Sequence, residues 1–418
     1  LIGDKEYPVN VLVLNVGSST VKFRLFHIES TNVSSHTETV LISGVIDHIH
    51  SADAILSYST DTTRPLSRKN LGTSSVGEGI REILTLLSSK ATFDGPVPTI
   101  DVIGHRIVHG GPAFFTATSV TESVLAALQE VSKLDPLHNP PALTALSVTS
   151  ELLPNAPNVA VFDTAFHHQL PPIAARYALP AEVCTRLSIR RYGFHGISYK
   201  YASERLSVAL SDAYQLDPKT ARIILCHLGS GASVCAVKGG QSIDTSMGFT
   251  PLEGLIMGSR SGDLDPGLLL YVMEQDSITP IQMLNLITYQ SGLLGISERS
   301  SDVRDLDRYS SEGDEKATLA LHCFAYRVRK YIGAYAAALG GVDALAFTGG
   351  IGEHSASIRA LICNDLDFLQ LTIDAEKNLV KASSTSAPVE IGSMHGKVWI
   401  VPANEELQIA REVVTLLS

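Results

Sequence analysis

Val9-Asn10-Val11-Leu12-Val13-Leu14-Asn15-Val16-Gly17-Ser18-Ser19-Thr20-Val21-Lys22-Phe23-Arg24-Leu25-Phe26 holds two apolar runs around a polar, glycine-bearing break. The β-branched and leucine-rich run Val9–Val13 predicts a strand, Asn15–Thr20 a turn, and Val21–Phe26 a second strand, so the segment reads as a hairpin with an extended Gly/Ser tip. The same grammar returns half a chain later, where Arg222–Cys226 leads through His227-Leu228-Gly229-Ser230-Gly231 into Ala232–Val237. One such tip is an ordinary hairpin turn. Two of them at half-chain spacing predict a duplicated pair of α/β domains, each presenting a phosphate-reading tip to a shared cleft.

Further strands are expected at Thr99–Ile103, Val159–Phe162, Ala344–Phe347 and Val398–Val401, each running into a polar or glycine-rich turn. Helical periodicity marks Gly79–Ser88, Thr121–Leu134, Pro141–Leu153, Lys316–Leu339 and Glu405–Leu417, which sets the class as α/β. The polar, proline-bearing stretch around residues 164–172 predicts the break between halves. Ser59–Gly79, rich in Ser, Thr and Arg, is expected to be a mobile surface segment.

A chain of 418 residues exceeds what one core usually supports, so two domains are the natural expectation. With 44% hydrophobic and 18% charged residues the balance is that of a soluble globular protein. A formal charge of −11, without any run of Lys and Arg, argues against nucleic acid as a partner. Cys184, Cys226, Cys235, Cys323 and Cys363 include no CxxC pair, which fits free thiols in a reducing compartment. No secretory leader pattern and no membrane-length apolar run is legible, so a cytoplasmic location is expected.

Several glycine-flanked motifs follow in order along the chain. They include Leu14–Lys22, Gly104-His105-Arg106-Ile107-Val108-His109-Gly110-Gly111, Phe162-Asp163-Thr164-Ala165-Phe166-His167 and Tyr192-Gly193-Phe194-His195-Gly196. His227-Leu228-Gly229, Gly258-Ser259-Arg260-Ser261-Gly262-Asp263-Leu264-Asp265-Pro266, Thr348-Gly349-Gly350-Ile351-Gly352-Glu353 and Asn404-Glu405-Glu406 continue the series. With these motifs the chain closely resembles the acetate kinases. The resemblance implies a duplicated two-domain actin-like (ribonuclease H-like) fold with an interdomain active-site cleft. It implies domains at 1–167 plus 402–418 and at 168–401, with the nucleotide-binding half second. It further implies ATP:acetate phosphotransfer, Mg²⁺ with Mn²⁺ able to substitute, and a homodimer.

Acetate is already ionised at neutral pH, so such a reaction needs no general base. What it needs is neutralisation of charge as one anion approaches another and the transferring group spreads charge over its equatorial oxygens. Arg106 and Arg260, in glycine-flanked loops, suit a clamp on carboxylate and phosphoryl, although a structural ion pair is the alternative for any single Arg. The resemblance makes His195 a donor to the phosphoryl oxygens and Asp163 and Glu405 carboxylates that orient Mg²⁺ and its waters. It gives Asn15 to phosphate and metal, and Ser18, Thr20 and Lys22 to the phosphates. His138 is a weaker candidate, and His105 and His109 remain motif members only. Val108, Leu137, Phe194 and Pro251 match the apolar positions that receive the acetate methyl, against a bland reading as core.

On the nucleotide side the resemblance assigns His227, Gly229, Ser230 and Gly231 at the second tip, and Asp302, Val303, Arg304 and Ile358 along the adenosine pocket. Gly350, Ile351, Gly352 and His354 follow the strand Ala344–Phe347, where glycines leave backbone room beside a purine. Ser230 and His354 stand where acetate kinases often carry Asn, and Thr20 where Ser is common. The rival readings are a propionate kinase, a pyrophosphate-dependent acetate kinase and, from another class, an actin-like nucleotide-binding protein.

Overall fold

Along Val9–Val16 (β1) every residue except Asn10 is buried, because the strand is covered on both faces and flanked on both edges. It pairs antiparallel with β2 (Val21–Asn32) from Val9↔Ile28 to Val16↔Val21. Its other edge pairs parallel with a later strand, from Val11↔Val102 to Leu14↔His105. The structure is a computed structural model and describes residues 8–17, 19–32, 35–60, 66–93, 95–135, 138–380, 387–393 and 397–418.

The chain divides into two units, Leu1–Ala165 with Glu405–Ser418, and Phe166–Asn404. In the first unit β3 (Ser35–Asp47), β4 (Ile55–Ser59), β5 (Ser67–Asn70), β6 (Val102–Ile107), β7 (Thr118–Ser119) and β8 (Asn158–Phe162) complete an eight-stranded sheet of order β5-β4-β3-β2-β1-β6-β8-β7. One face buries Leu12, Leu14, Phe23 and Leu25 against Ile80, Ile83 and Leu87 of the helix Val76–Leu87 and Val148 of Asn139–Leu152. The first of these helices opens on a capping box in which Ser75 and Glu78 satisfy one another's backbone N–H groups. Against β6 lies the helix Glu405–Leu417. A Cβ on Gly104 would come within 2.8 Å of Ile409 and 2.9 Å of Val413, so the helix can approach only because position 104 has no side chain.

The second unit repeats this plan with β9 (Arg222–Leu228), β10 (Ala232–Lys238), β11 (Gln241–Thr245), β12 (Ala344–Thr348), β13 (Val389–Glu390) and β14 (Val398–Ile400), in the order β11-β10-β9-β12-β14-β13. The segments β3-β2-β1-β6-β8 and β11-β10-β9-β12-β14 have the same order, three antiparallel strands followed by two parallel ones. That is a duplicated α/β, actin-like core.

Some sequence expectations are displaced. The strand expected at Thr99–Ile103 runs instead from Val102 to Ile107, because β8 pairs with it as far as Ile107↔Phe162. Arg106 therefore sits on a strand and not in a loop. Ser59–Gly79 contains the exposed edge strand β5 and the start of a capped helix; its residues 61–65 lie outside the described residues.

Candidate active site

In the first unit Asn15 closes β1, Arg106 is the penultimate residue of β6 and Asp163 follows β8, so three neighbouring strands deliver them side by side. Arg106 donates from Nε and Nη2 to Asp163 Oδ2 at 3.0 and 2.5 Å, and from Nη1 to Asn15 Oδ1 at 3.2 Å. Asn15 Nδ2 in turn donates to Glu405 Oε2 at 3.1 Å and Glu406 Oε1 at 3.2 Å. Burial works to lower the guanidinium pKa, but Asp163, Glu405 and Glu406 more than offset it and hold the group above the ordinary arginine range. The result is a fixed cation surrounded by oxygen acceptors.

Alternation along β6 turns His105 to the opposite side from Arg106. His105 Nε2 lies 2.7 Å from Asn158 Oδ1, and burial lowers its pKa to about 4. His109 is structural too: its Nδ1 accepts from the Gly111 N–H at 2.8 Å and its own N–H donates to Asn139 Oδ1 at 3.0 Å. Val108 is buried. His138 Nδ1 is 2.8 Å from Asp135 Oδ1. At the first tip the Gly17 N–H donates to the Thr20 carbonyl at 2.8 Å, and Lys22 is exposed opposite Asn15 in the ladder. Ser18 and Leu137 lie outside the described residues.

In the second unit His195 begins the helix Gly196–Tyr214 with left-handed backbone angles, φ 58° and ψ 21°, an uncommon state for a residue with a side chain. Neighbouring groups over-determine it. His167 Nε2 donates to the Phe194 carbonyl at 3.0 Å, and the Tyr192 and Gly193 N–H groups both reach the Gly248 carbonyl. Gly193 (φ 73°) is needed there, since a Cβ would fall 2.6 Å from His167 and from Thr245. His195 stacks on His227 with centroids 4.2 Å apart and planes 22° apart, and Ser198 Oγ lies 2.8 Å from His227 Nδ1. Arg260, in a loop, donates from Nη1 to the Pro251 carbonyl at 3.2 Å. A Cβ placed on Gly231 would be 3.5 Å from His195 Nε2 and 3.7 Å from Arg260 Nη1, so the second tip, the imidazole and the guanidinium converge. Phe194 is fully buried and Pro251 is buried.

Beside this tip lies a cavity of about 530 Å³. Among the residues read from the sequence, Gly229, Ser230, Asp302, Val303, Arg304, Gly350, Ile351 and His354 line it, joined by Ser301, Asp307 and Ser355. Asp302 caps the helix Val303–Ser311, accepting from the Arg304 backbone N–H at 2.8 Å, and takes the Arg304 guanidinium through Nε, at 3.0 and 3.2 Å to its two oxygens, and Nη2 at 2.5 Å; the guanidinium bonds are the main cause that lowers the Asp302 pKa. His227, Gly231, Gly352 and Ile358 are not in the lining, and Ile358 is fully buried on the inner side of the helix Ala356–Cys363. After β12, Gly349 (φ 77°) starts the short helix Gly349–His354, and Glu353 Oε1 accepts from the Gly349 and Ala403 N–H groups at 2.9 Å each.

A family model described as the acetokinase family matches residues 10–411. The chain belongs to the acetokinase family. The acetate kinase of Caldicellulosiruptor bescii is 43% identical over 411 residues, covering 98% of this chain and 100% of that relative. The crystal structure of Porphyromonas gingivalis acetate kinase matches with a TM-score of 0.85 at 37% identity, over 98% of this chain and 100% of that one. A propionate kinase from Francisella tularensis matches with the same score at 36% identity, over 97% and 98%.

Several groups that flank the candidate site residues carry little sequence signal. Glu406 is one member of a tandem carboxylate pair whose partner Glu405 was already a candidate. Ser301, Asp307 and Ser355 flank quoted positions and would have followed from extending each motif by a few residues. Ser233 is brought to His195 only by folding, and Tyr199, one helical turn after His195, meets Ser233 there.

Proposed function

We propose that the chain performs its family's reaction, reversible transfer of the ATP γ-phosphoryl group to acetate, giving acetyl phosphate and ADP by direct in-line displacement. The convergence of His195 Nε2 and Arg260 Nη1 on the Gly231 tip carries this reading. These are preorganised donors where a transferring phosphoryl group needs them. Arg106, already fixed by Asp163, pairs with the acetate carboxylate, and Val108, two residues further on, serves its methyl. The cavity beside Gly229 and Gly350 takes the adenosine.

A divalent cation, Mg²⁺ in our reading, neutralises charge on the phosphates when bound. Among the described residues no group of three or more His, Cys, Asp or Glu is arranged to hold a metal. The oxygens of Asn15, Asp163, Glu405 and Glu406 suit an ion kept mainly by phosphates and waters, as Mg²⁺ usually is. We further propose a cytoplasmic homodimer. All five cysteines are free, and among the described residues no helix is long and apolar enough to cross a membrane. The helix Pro266–Gln275 buries none of its residues and exposes Leu268, Leu270 and Tyr271, a face suited to a second copy.

Purified protein assayed with ATP, GTP and pyrophosphate against acetate, propionate and butyrate tests the assignment. Acetate with ATP should give the highest kcat/KM; faster turnover with propionate, or with pyrophosphate as donor, would replace it with the corresponding rival.

A further inference from the structure

Ser233 is a hydroxyl in the strand Ala232–Lys238, apolar elsewhere except at its terminal Lys238, and its side chain is fully buried. Its Oγ lies 2.8 Å from His195 Nδ1 and 2.5 Å from the Tyr199 hydroxyl. We infer that Tyr199 and Ser233 are positioning residues that fix the tautomer of His195, so that its proton stands on Nε2, the nitrogen beside the Gly231 tip. This rests on the proposed reading of His195 as a donor to the phosphoryl group.

The direction of the chain follows from counting protons. Tyr199 is completely buried, and burial pushes its hydroxyl well above the usual range, so it stays protonated. Its single phenolic proton is directed to Ser233 Oγ, 2.5 Å away. Ser233, having accepted that bond, spends its own proton on its second neighbour, His195 Nδ1. A neutral imidazole whose Nδ1 accepts must carry its hydrogen on Nε2. The opposite tautomer would direct two N–H or O–H groups at Ser233 and leave the serine proton buried without an acceptor, which is costly in a site closed to water. His227 contributes through its ring, stacked on His195.

Kinetics and nitrogen NMR together test the inference. Ser233→Ala and Tyr199→Phe should each lower kcat by roughly 10- to 100-fold, as loss of orienting partners does elsewhere, while KM for acetate and for ATP stays within about 3-fold. A protein labelled with ¹⁵N in histidine, with His195 assigned by difference from His195→Ala, should show Nδ1 bare and Nε2 protonated in the wild type. The Nδ1 resonance should move toward a mixed state in Tyr199→Phe. A protonated Nδ1 in the wild type overturns the inference whether or not Ser233→Ala folds. So does wild-type turnover in both variants when His195→Ala is impaired. Wild-type turnover in His195→Ala would instead overturn the reading of His195 beneath it.

Discussion

Arg106 places Nε and Nη2 on the same oxygen of Asp163, at 3.0 and 2.5 Å, and the carboxylate it neutralises is almost wholly buried, with 1% of its side chain exposed. The pair is therefore structural, and in the proposed reaction it is functional as well. Arg106→Ala leaves Asp163, Glu405 and Glu406 without their shared cation. We expect a stability loss of about 3–5 kcal/mol, the range for breaking a buried pair, together with a fall in kcat of roughly 10²-fold or more. Adding Asp163→Ala should recover part of the stability and none of the activity. Urea unfolding of the single and double variants beside their turnover decides it; a stable, inactive Arg106→Ala would leave only the catalytic role.

Acid should act on both units through buried neutral histidines. His105 and His167 both have pKa values lowered to about 4, chiefly by burial, against an ordinary 6.5. The unfolded chain takes up protons below pH 6.5 that the folded chain refuses, so their contribution is full above pH 6.5 and is lost as the pH falls toward 4. Each group should cost about 2 kcal/mol by pH 5. Unfolding at pH 7 and pH 5 should show a smaller difference in His105→Gln and in His167→Gln than in the wild type. An unaltered difference in both would mean that other groups govern acid sensitivity.

Two adjacent glycines should separate nucleotide binding from stability. A side chain at Gly350 meets nothing within 4 Å of its Cβ and projects toward the cavity, whereas Gly349 has φ 77° and its Cβ would lie 2.8 Å from the Leu228 carbonyl. Gly350→Gln should raise KM for ATP by about 10-fold or more, with KM for acetate and the melting temperature little changed. Gly349→Ala should cost about 1–3 kcal/mol of stability through backbone strain. Equal effects of Gly350→Gln on the two KM values would move adenosine out of this cavity.

The hairpins of both units are legible in the sequence because β-branched runs bracket a glycine tip, and Asn15, Gly229 and Gly231 come with them. Arg106 is misplaced by the same logic. Gly104 reads as loop punctuation, yet its lack of a side chain serves the approach of Ile409 and Val413 from far along the chain. Ile358 matches a pocket position by motif but faces the core, since helix phase and not proximity in sequence decides exposure. Ser233 gives no warning inside an apolar strand, and its link to Tyr199 spans 34 positions. Side-chain networks closed by tertiary contacts leave no local pattern to read.

The bond from Asn15 to Glu405 joins residues 390 positions apart. A ribosome delivers the first long before the second, and the whole of Phe166–Asn404 is synthesised in between. The sheet of the first unit can start to gather during that interval, but β6 must wait with Gly104 uncovered and Arg106 short of two of its carboxylates. Only with the helix Glu405–Leu417 does that cation acquire its full set of partners, so a cluster begun by the earliest strand of the first unit closes only after the whole second unit has been made.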